Sequence, residues 1–108
     1  MSSFFQINQS NFTRQVSASK RPVLLEFGAP WCKPCKNLEP ILLGLSEQWG
    51  GKINFAQVDV DECPDIAAGF GVMSVPTLIL FVGGEARERL TGSSSADKIK
   101  ATVTPYLA

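Results

Sequence analysis

The sequence predicts an α/β fold whose elements run β-α-β-α-β-α-β-β-α. Three observations predict it. Short apolar runs alternate with stretches of helical periodicity along the whole chain. One run, "VLLEF" at 23–27, is almost continuously apolar, as in a strand covered on both faces. A Gly83-Gly84 pair separates two stretches of strand character, which is the chemistry of a tight hairpin.

Each element has its own warrant. A first strand is expected at Phe4–Ile7, then a helix capped near Asn8 or Ser10, with Phe12 and Val16 on one face. Val23, Leu24, Leu25 and Phe27 form the second strand. A long helix follows from Cys32 to about Trp49, with Leu38, Leu42 and Leu45 as its buried stripe and Gly50-Gly51 as its stop. Pro40 lies inside it and is expected to kink it, because its ring removes a backbone donor. "KINFAQVDV" at 52–60 reads as the third strand. "DECPDIAAGFG" reads as a short helix with Asp61 as cap and Pro64 in its first turn. "TLILFV" and "EARERLT" are the hairpin arms, the second alternating charged and apolar residues like an edge strand with one wet face. A last helix starts at Ser94 or Ser95 and buries Ile99 and Val103, with Leu107 as a further candidate.

Bulk properties narrow the function. A chain of 108 residues is read as a single domain, 1–108, large enough to bury a core without staples. Its 44 % hydrophobic and 19 % charged residues argue against disorder. Ten basic and ten acidic residues cancel, so nothing points to nucleic acid or an anionic membrane surface. No apolar run approaches the about 18 residues of a membrane-spanning helix. The start lacks the pattern of a secretory signal, so a cytoplasmic monomer is the expectation, although a signal already removed would leave no trace. Histidine is absent, which excludes a His base, Ser-His and Cys-His nucleophile pairs and mixed Cys/His zinc sites.

The chemistry concentrates in "FGAPWCKPCKNLEP" at 27–40, where two cysteines stand two residues apart. As a static staple the pair is poor, since closing so short a loop removes little chain entropy. As a metal site it is incomplete: Cys63 could supply a third thiolate, but no fourth ligand is evident. As a redox couple the local physics fits. Cys32 falls where a strand ends and a helix begins, so its thiolate faces unpaired N–H groups and the positive end of the helix dipole. That lowers a thiol pKa and makes Cys32 the attacking sulfur. Cys35 lies one turn further in, expected to be the more buried, placed to attack a mixed disulfide. Pro34 stiffens the first turn, where its missing donor costs nothing, and Trp31 offers a flat apolar wall beside the exposed sulfur of Cys32.

"WCKPCK" after "LEFGA", "SVPTLILF" downstream and "LTG" beyond the hairpin resemble the thioredoxin family, in motif spacing and element order, over essentially the whole chain. The resemblance implies a thioredoxin fold, an α/β architecture with a central mixed sheet of about five strands flanked by about four helices. It implies a protein-disulfide reductase that needs no bound cofactor beyond the redox-active Cys32-Cys35 disulfide. It implies a cis bond before Pro76, whose ring sits against the sulfurs, and pairing of the Val75 backbone with an extended client segment. Trp31, Val60, Ser74, Val75, Thr91 and Gly92 are expected to line one shallow groove. Disulfide-bearing client proteins and a thioredoxin reductase, either a pyridine-nucleotide flavoprotein or a ferredoxin-dependent enzyme, are the implied partners.

Several positions depart from the family pattern. Glu26 stands mid-strand where the family usually has Asp, beneath the second cysteine, helping to move its proton. Read without the family, it is a carboxylate in a buried-looking strand or an edge residue reaching solvent. Many relatives face that Asp with Lys; the matching position here is Gln57, so the Glu26 pKa is expected to be higher than where the Lys is kept. Lys33 replaces a usual Gly; as an exposed cation it contributes about 1 kcal/mol or less. Gly28 replaces an aromatic, so the active-site loop is expected to be looser or filled by another side chain. Cys63 reads as a small semi-buried residue, or as an accessory thiol under oxidation. Asp59, Asp61, Glu62 and Asp65 read as a solvated acidic face. A disulfide oxidase or isomerase, and a non-catalytic binding subunit, are the alternatives to the reductase.

Overall fold

The computed structural model describes residues 4–107. Its sheet has five strands: β1 (Phe5–Ile7), β2 (Val23–Gly28), β3 (Asn54–Asp59), β4 (Thr77–Val82) and β5 (Glu85–Thr91). Their spatial order is β1-β3-β2-β4-β5, with β1, β3 and β2 parallel and β4 and β5 antiparallel to their neighbours. Three α-helices accompany it: α1 (Lys33–Trp49), α2 (Pro64–Gly69) and α3 (Ala96–Val103). No described helix is long and apolar enough to cross a membrane.

The apolar run of the second strand is central and buried at every residue. Alternation along it divides the core. Val23, Leu25 and Phe27 pack with Val16, Val58, Ile79 and Phe81 on one side, and Leu24 packs with Leu38, Leu42, Leu45 and Ile99 on the other. The Leu stripe of α1 is buried as its spacing predicts, and each such side chain contributes roughly 1.5–3 kcal/mol. α1 runs through Pro40 without interruption.

The largest departures from expectation lie in two helices. The first helix is only a π-helical turn, Thr13–Ser17, with Ala18 N–H donating to Thr13 O at 2.8 Å. Asn8 does not cap it: the Asn8 carboxamide oxygen accepts from Ser10 and Asn11 in a preceding turn, while Val16 still reaches the core. The N-cap of α2 is Cys63 rather than Asp61. Pro64, fixed in φ and without a donor, makes itself the first helical residue, so the cap falls directly before it.

The hairpin turns at Gly83 (φ 62°) and Gly84 (φ 83°), the left-handed conformation a two-residue turn demands. Gly84 also seats the hairpin tip against the π-helical turn: a Cβ there would lie 2.4 Å from the Ser17 carbonyl oxygen. We expect Gly84→Ala to lower unfolding stability by about 2–4 kcal/mol, because φ strain and a backbone clash add. Urea unfolding checks this, and a loss under about 0.5 kcal/mol, the scale of an ordinary surface change, would contradict it.

Candidate active site

The cysteines sit where β2 hands the chain to α1. Cys32 is the N-cap, with extended backbone (φ −84°, ψ 105°), and its Sγ accepts the N–H of Cys35 at 3.2 Å. This sulfur takes the place of the side-chain oxygen that usually satisfies an orphan helix donor. Pro34 occupies the first turn, where no N–H is needed. Cys32 and Cys35 form a disulfide with Cα atoms 5.3 Å apart. Lys33 and Pro34, between them, are exposed.

Cys35 is not the more buried of the two: Cys32 is 2 % exposed and Cys35 6 %. Both sulfurs belong to one small apolar cluster with Ala29, against which Val60 and Val75 pack, and Cys35 also borders a pocket of about 240 Å³ with Ala29, Pro30, Lys36, Glu39 and Gln57. Gly28 adjoins Cys35. A Cβ at Gly28 would lie 3.3 Å from Cys35 Sγ and 3.8 Å from Glu26 Oε2. Cys35 and Glu26 thus occupy the space beside this glycine, in place of the bulkier neighbour an aromatic would provide.

Glu26 is 1 % exposed, on the α1 side of the sheet. Its Oε1 accepts from Gln57 Nε2 at 2.5 Å, and its Oε2 has no partner among the described residues. Burial raises the Glu26 pKa to about 7; the Gln57 hydrogen bond opposes this and the charge of Glu39 adds to it. The edge-residue reading is thereby excluded, and register places Gln57 directly across from Glu26, as the family resemblance implied.

The Val75-Pro76 peptide bond is cis. Trp31, Val60, Ser74 and Val75 come together with Val72 and Met73 around a groove of about 220 Å³. Thr91 and Gly92 are not among its lining residues. Thr91 pairs with Thr77, and the Gly92 N–H donates to Pro76 O at 2.8 Å, so they brace the proline segment from β5. Met73, 96 % exposed, is a groove residue that sequence reasoning missed, and adjacency to "SVP" was its only signal. Asp61 was missed too. Freed from capping α2, it accepts from Trp31 Nε1 at 2.6 Å and holds an indole that is itself 67 % exposed. One member of the acidic face therefore has a structural task.

Cys63 is buried, its Sγ 3.9 Å from the Ile7 carbonyl. Burial pushes its thiol pKa up, and Glu62 and Asp59 push it further, which suits a packing residue better than a reactive thiol. Among the described residues no group of His, Cys, Asp or Glu could hold a metal ion.

A turn that brings two sulfurs within bonding distance, one at a helix N-terminus and the other bordering, with a buried carboxylate, the space at one glycine, belongs to a thiol-disulfide oxidoreductase. Comparison with known proteins specifies which kind. The family model Thioredoxin matches residues 3–105. Thioredoxin 1 of Nostoc sp. is 36 % identical over 99 % of this chain and 100 % of its own length. A Synechocystis thioredoxin is 35 % identical with the same coverage. Thioredoxin M4, chloroplastic, of Arabidopsis thaliana is 37 % identical over 94 % of this chain, which spans 52 % of that longer protein. The chain belongs to the thioredoxin family, and it is a protein-disulfide reductase.

The buried carboxylate leaves a thermodynamic signature. The folded-state pKa of Glu26 lies above the ordinary glutamate value of 4.5, so native protein binds more protons than unfolded chain between there and about 7. Its contribution to stability is present at low pH and lost as pH rises through that window. We expect the stability of Glu26→Gln relative to wild type to grow by about 3 kcal/mol between about pH 4 and about pH 8. Urea unfolding at the two pH values checks the sign; a flat difference would mean that Glu26 titrates normally.

Proposed function

We propose that the reductase works by division of labour between the two sulfurs. The Cys32 thiolate attacks a client disulfide, forming one S–S bond and releasing one client thiolate. The Cys35 thiol gives its proton to the Glu26 carboxylate and attacks Cys32 Sγ, releasing the second client thiolate and closing the Cys32–Cys35 disulfide. Two electrons pass from the dithiol to the client, and no bound cofactor takes part. The client lies extended along Val75-Pro76, with Trp31, Val60, Ser74 and Met73 beneath it. The observation that carries this reading is the Cys35 N–H directed at Cys32 Sγ, at the N-terminus of a 17-residue helix. A donor there stabilises a thiolate on Cys32, and Cys35 has the carboxylate instead.

A carboxylate with pKa about 7 is divided between its two forms near neutrality, so it can accept a proton and return it in the reverse step. Reduction is restored by a thioredoxin reductase, whether a pyridine-nucleotide flavoprotein or a ferredoxin-dependent enzyme, and the cytoplasm is the reducing compartment in which we place the cycle. Oxidase activity finds no support at Lys33, whose exposed charge contributes about 1 kcal/mol or less, where about 1.4 kcal/mol corresponds to 30 mV.

Equilibration with a dithiothreitol or glutathione buffer measures the potential of the pair. We expect about −250 mV or lower, near the −270 mV reference for thioredoxin; a value above about −200 mV would assign the protein to oxidation or isomerisation. In a separate trapping assay Cys35→Ser should accumulate a mixed disulfide with a disulfide-bonded client, and Cys32→Ser should not. The reverse pattern would interchange the two roles.

A further inference from the structure

We propose that Gln6, on the edge strand, is a positioning residue for the redox site: its amide sets the direction of the Gln57 amide, which in turn presents Glu26 to Cys35. The inference rests on the reading of Glu26 as the proton acceptor of Cys35. Register supplies the frame. Gln6 stands opposite Gln57 between β1 and β3, and Gln57 opposite Glu26 between β3 and β2. Directly opposed residues share a face of the sheet, so the three side chains form a row from an exposed edge to the buried centre.

The hydrogen bonds along this row have one direction. Gln6 Nε2 donates to the Phe4 carbonyl at 3.1 Å and to Gln57 Oε1 at 3.1 Å. Gln57 Nε2 donates to Glu26 Oε1. The Phe4 carbonyl can only accept, so the Gln6 amide must turn its nitrogen inward. Gln57 must then receive on its oxygen, which leaves its nitrogen for Glu26. Reversing the Gln57 amide would set donor against donor at Gln6 and oxygen against oxygen at Glu26. A backbone carbonyl at the edge thus determines which end of an amide meets a carboxylate at the centre of the protein.

The consequence falls on the free oxygen. With Oε1 held by Gln57, Oε2 is left beside the space at Gly28 that Cys35 Sγ also borders. Other groups face this carboxylate or its pocket. α1 contributes Cys35, Lys36 and Glu39, while β3 contributes neutral Gln57 and β4 has Leu78 at the opposing position. Where a cation would hold the carboxylate from any direction, a neutral amide does so only with its nitrogen forward. Its orientation therefore has to be enforced, and Gln6 enforces it.

The test is a ¹³C NMR titration of the Glu26 carboxyl in the full reduced chain, paired with the rate of mixed-disulfide release near pH 7. Gln6→Leu should raise the Glu26 midpoint by about 0.5–1 pH unit, the worth of one oriented neutral hydrogen bond, and slow release several-fold. Gln6→Lys, which keeps a donor for Gln57 Oε1, should not raise it. In a Gln57→Leu background, Gln6→Leu should move nothing, because the intermediary is gone. A midpoint unmoved by Gln6→Leu, raised by Gln6→Lys, or moved equally without Gln57 overturns the proposal. A midpoint that moves as expected with release unchanged, at a pH where Glu26→Gln also leaves release unchanged, instead overturns the proton-acceptor reading and leaves the row as an orienting device alone.

Discussion

The complete burial of β2 is the constraint on which the rest of the molecule depends. A strand covered on both faces sends alternate side chains into two separate cores, so the identity of each position decides which core it enters. Leu25 and Phe27 build one core. Leu24 builds the other, and the same alternation sends Glu26 toward α1 and leaves Gly28 beneath Cys35. Burying a carboxyl costs free energy unless it is hydrogen-bonded or neutral. Here one oxygen is bonded and the pKa is raised, so the protein keeps near the sulfurs a group that is neither firmly charged nor firmly neutral at physiological pH.

The asymmetry of the two cysteines follows from the helix that begins between them. Cys32 lies at the boundary and receives a backbone donor; Cys35 lies within the first turn, and its own N–H is the group donated. Exposure does not separate them, since both are nearly buried. What separates them is the sign of their surroundings: amide hydrogen and positive helix end at Cys32, carboxyl oxygen near Cys35. In the mechanism we propose, a thiolate is favoured on the first and proton loss from the second is assisted.

The groove to which we assign the client is assembled from segments with no regular structure of their own. Trp31, Val60 and the Val72–Val75 stretch meet around the groove, and each is tied back to the scaffold. Asp61 holds the indole, Thr77 Oγ1 donates to the Ser74 carbonyl, and Gly92 holds the carbonyl of Pro76. Anchoring of this kind lets an exposed apolar surface keep its shape, with Met73 projecting from it as an adaptable contact.

Strand and helix identities were legible because each depends on a local period: the apolar run of β2, the Leu stripe of α1, the Gly-Gly turn. The redox pair was legible for the same reason, since two cysteines one turn apart at a helix start carry their chemistry in their spacing. Errors came where a tertiary contact or a single backbone restriction overrode the local pattern. Pro64 moved a cap from Asp61 to Cys63, and the first helix shortened to one π-helical turn whose end meets Gly84. Distances across the sheet were beyond any local reading. The relative burial of Cys32 and Cys35, the absence of Thr91 and Gly92 from the groove lining, the Trp31–Asp61 bond and the row from Gln6 to Glu26 all join residues far apart in the chain. By itself the sequence determined which elements form and which chemistry they carry, because periodicity, turn residues and the spacing of two sulfurs are local properties. Tertiary structure alone decided how the carboxylate is held and which way its amide neighbours point, because those depend on strand register.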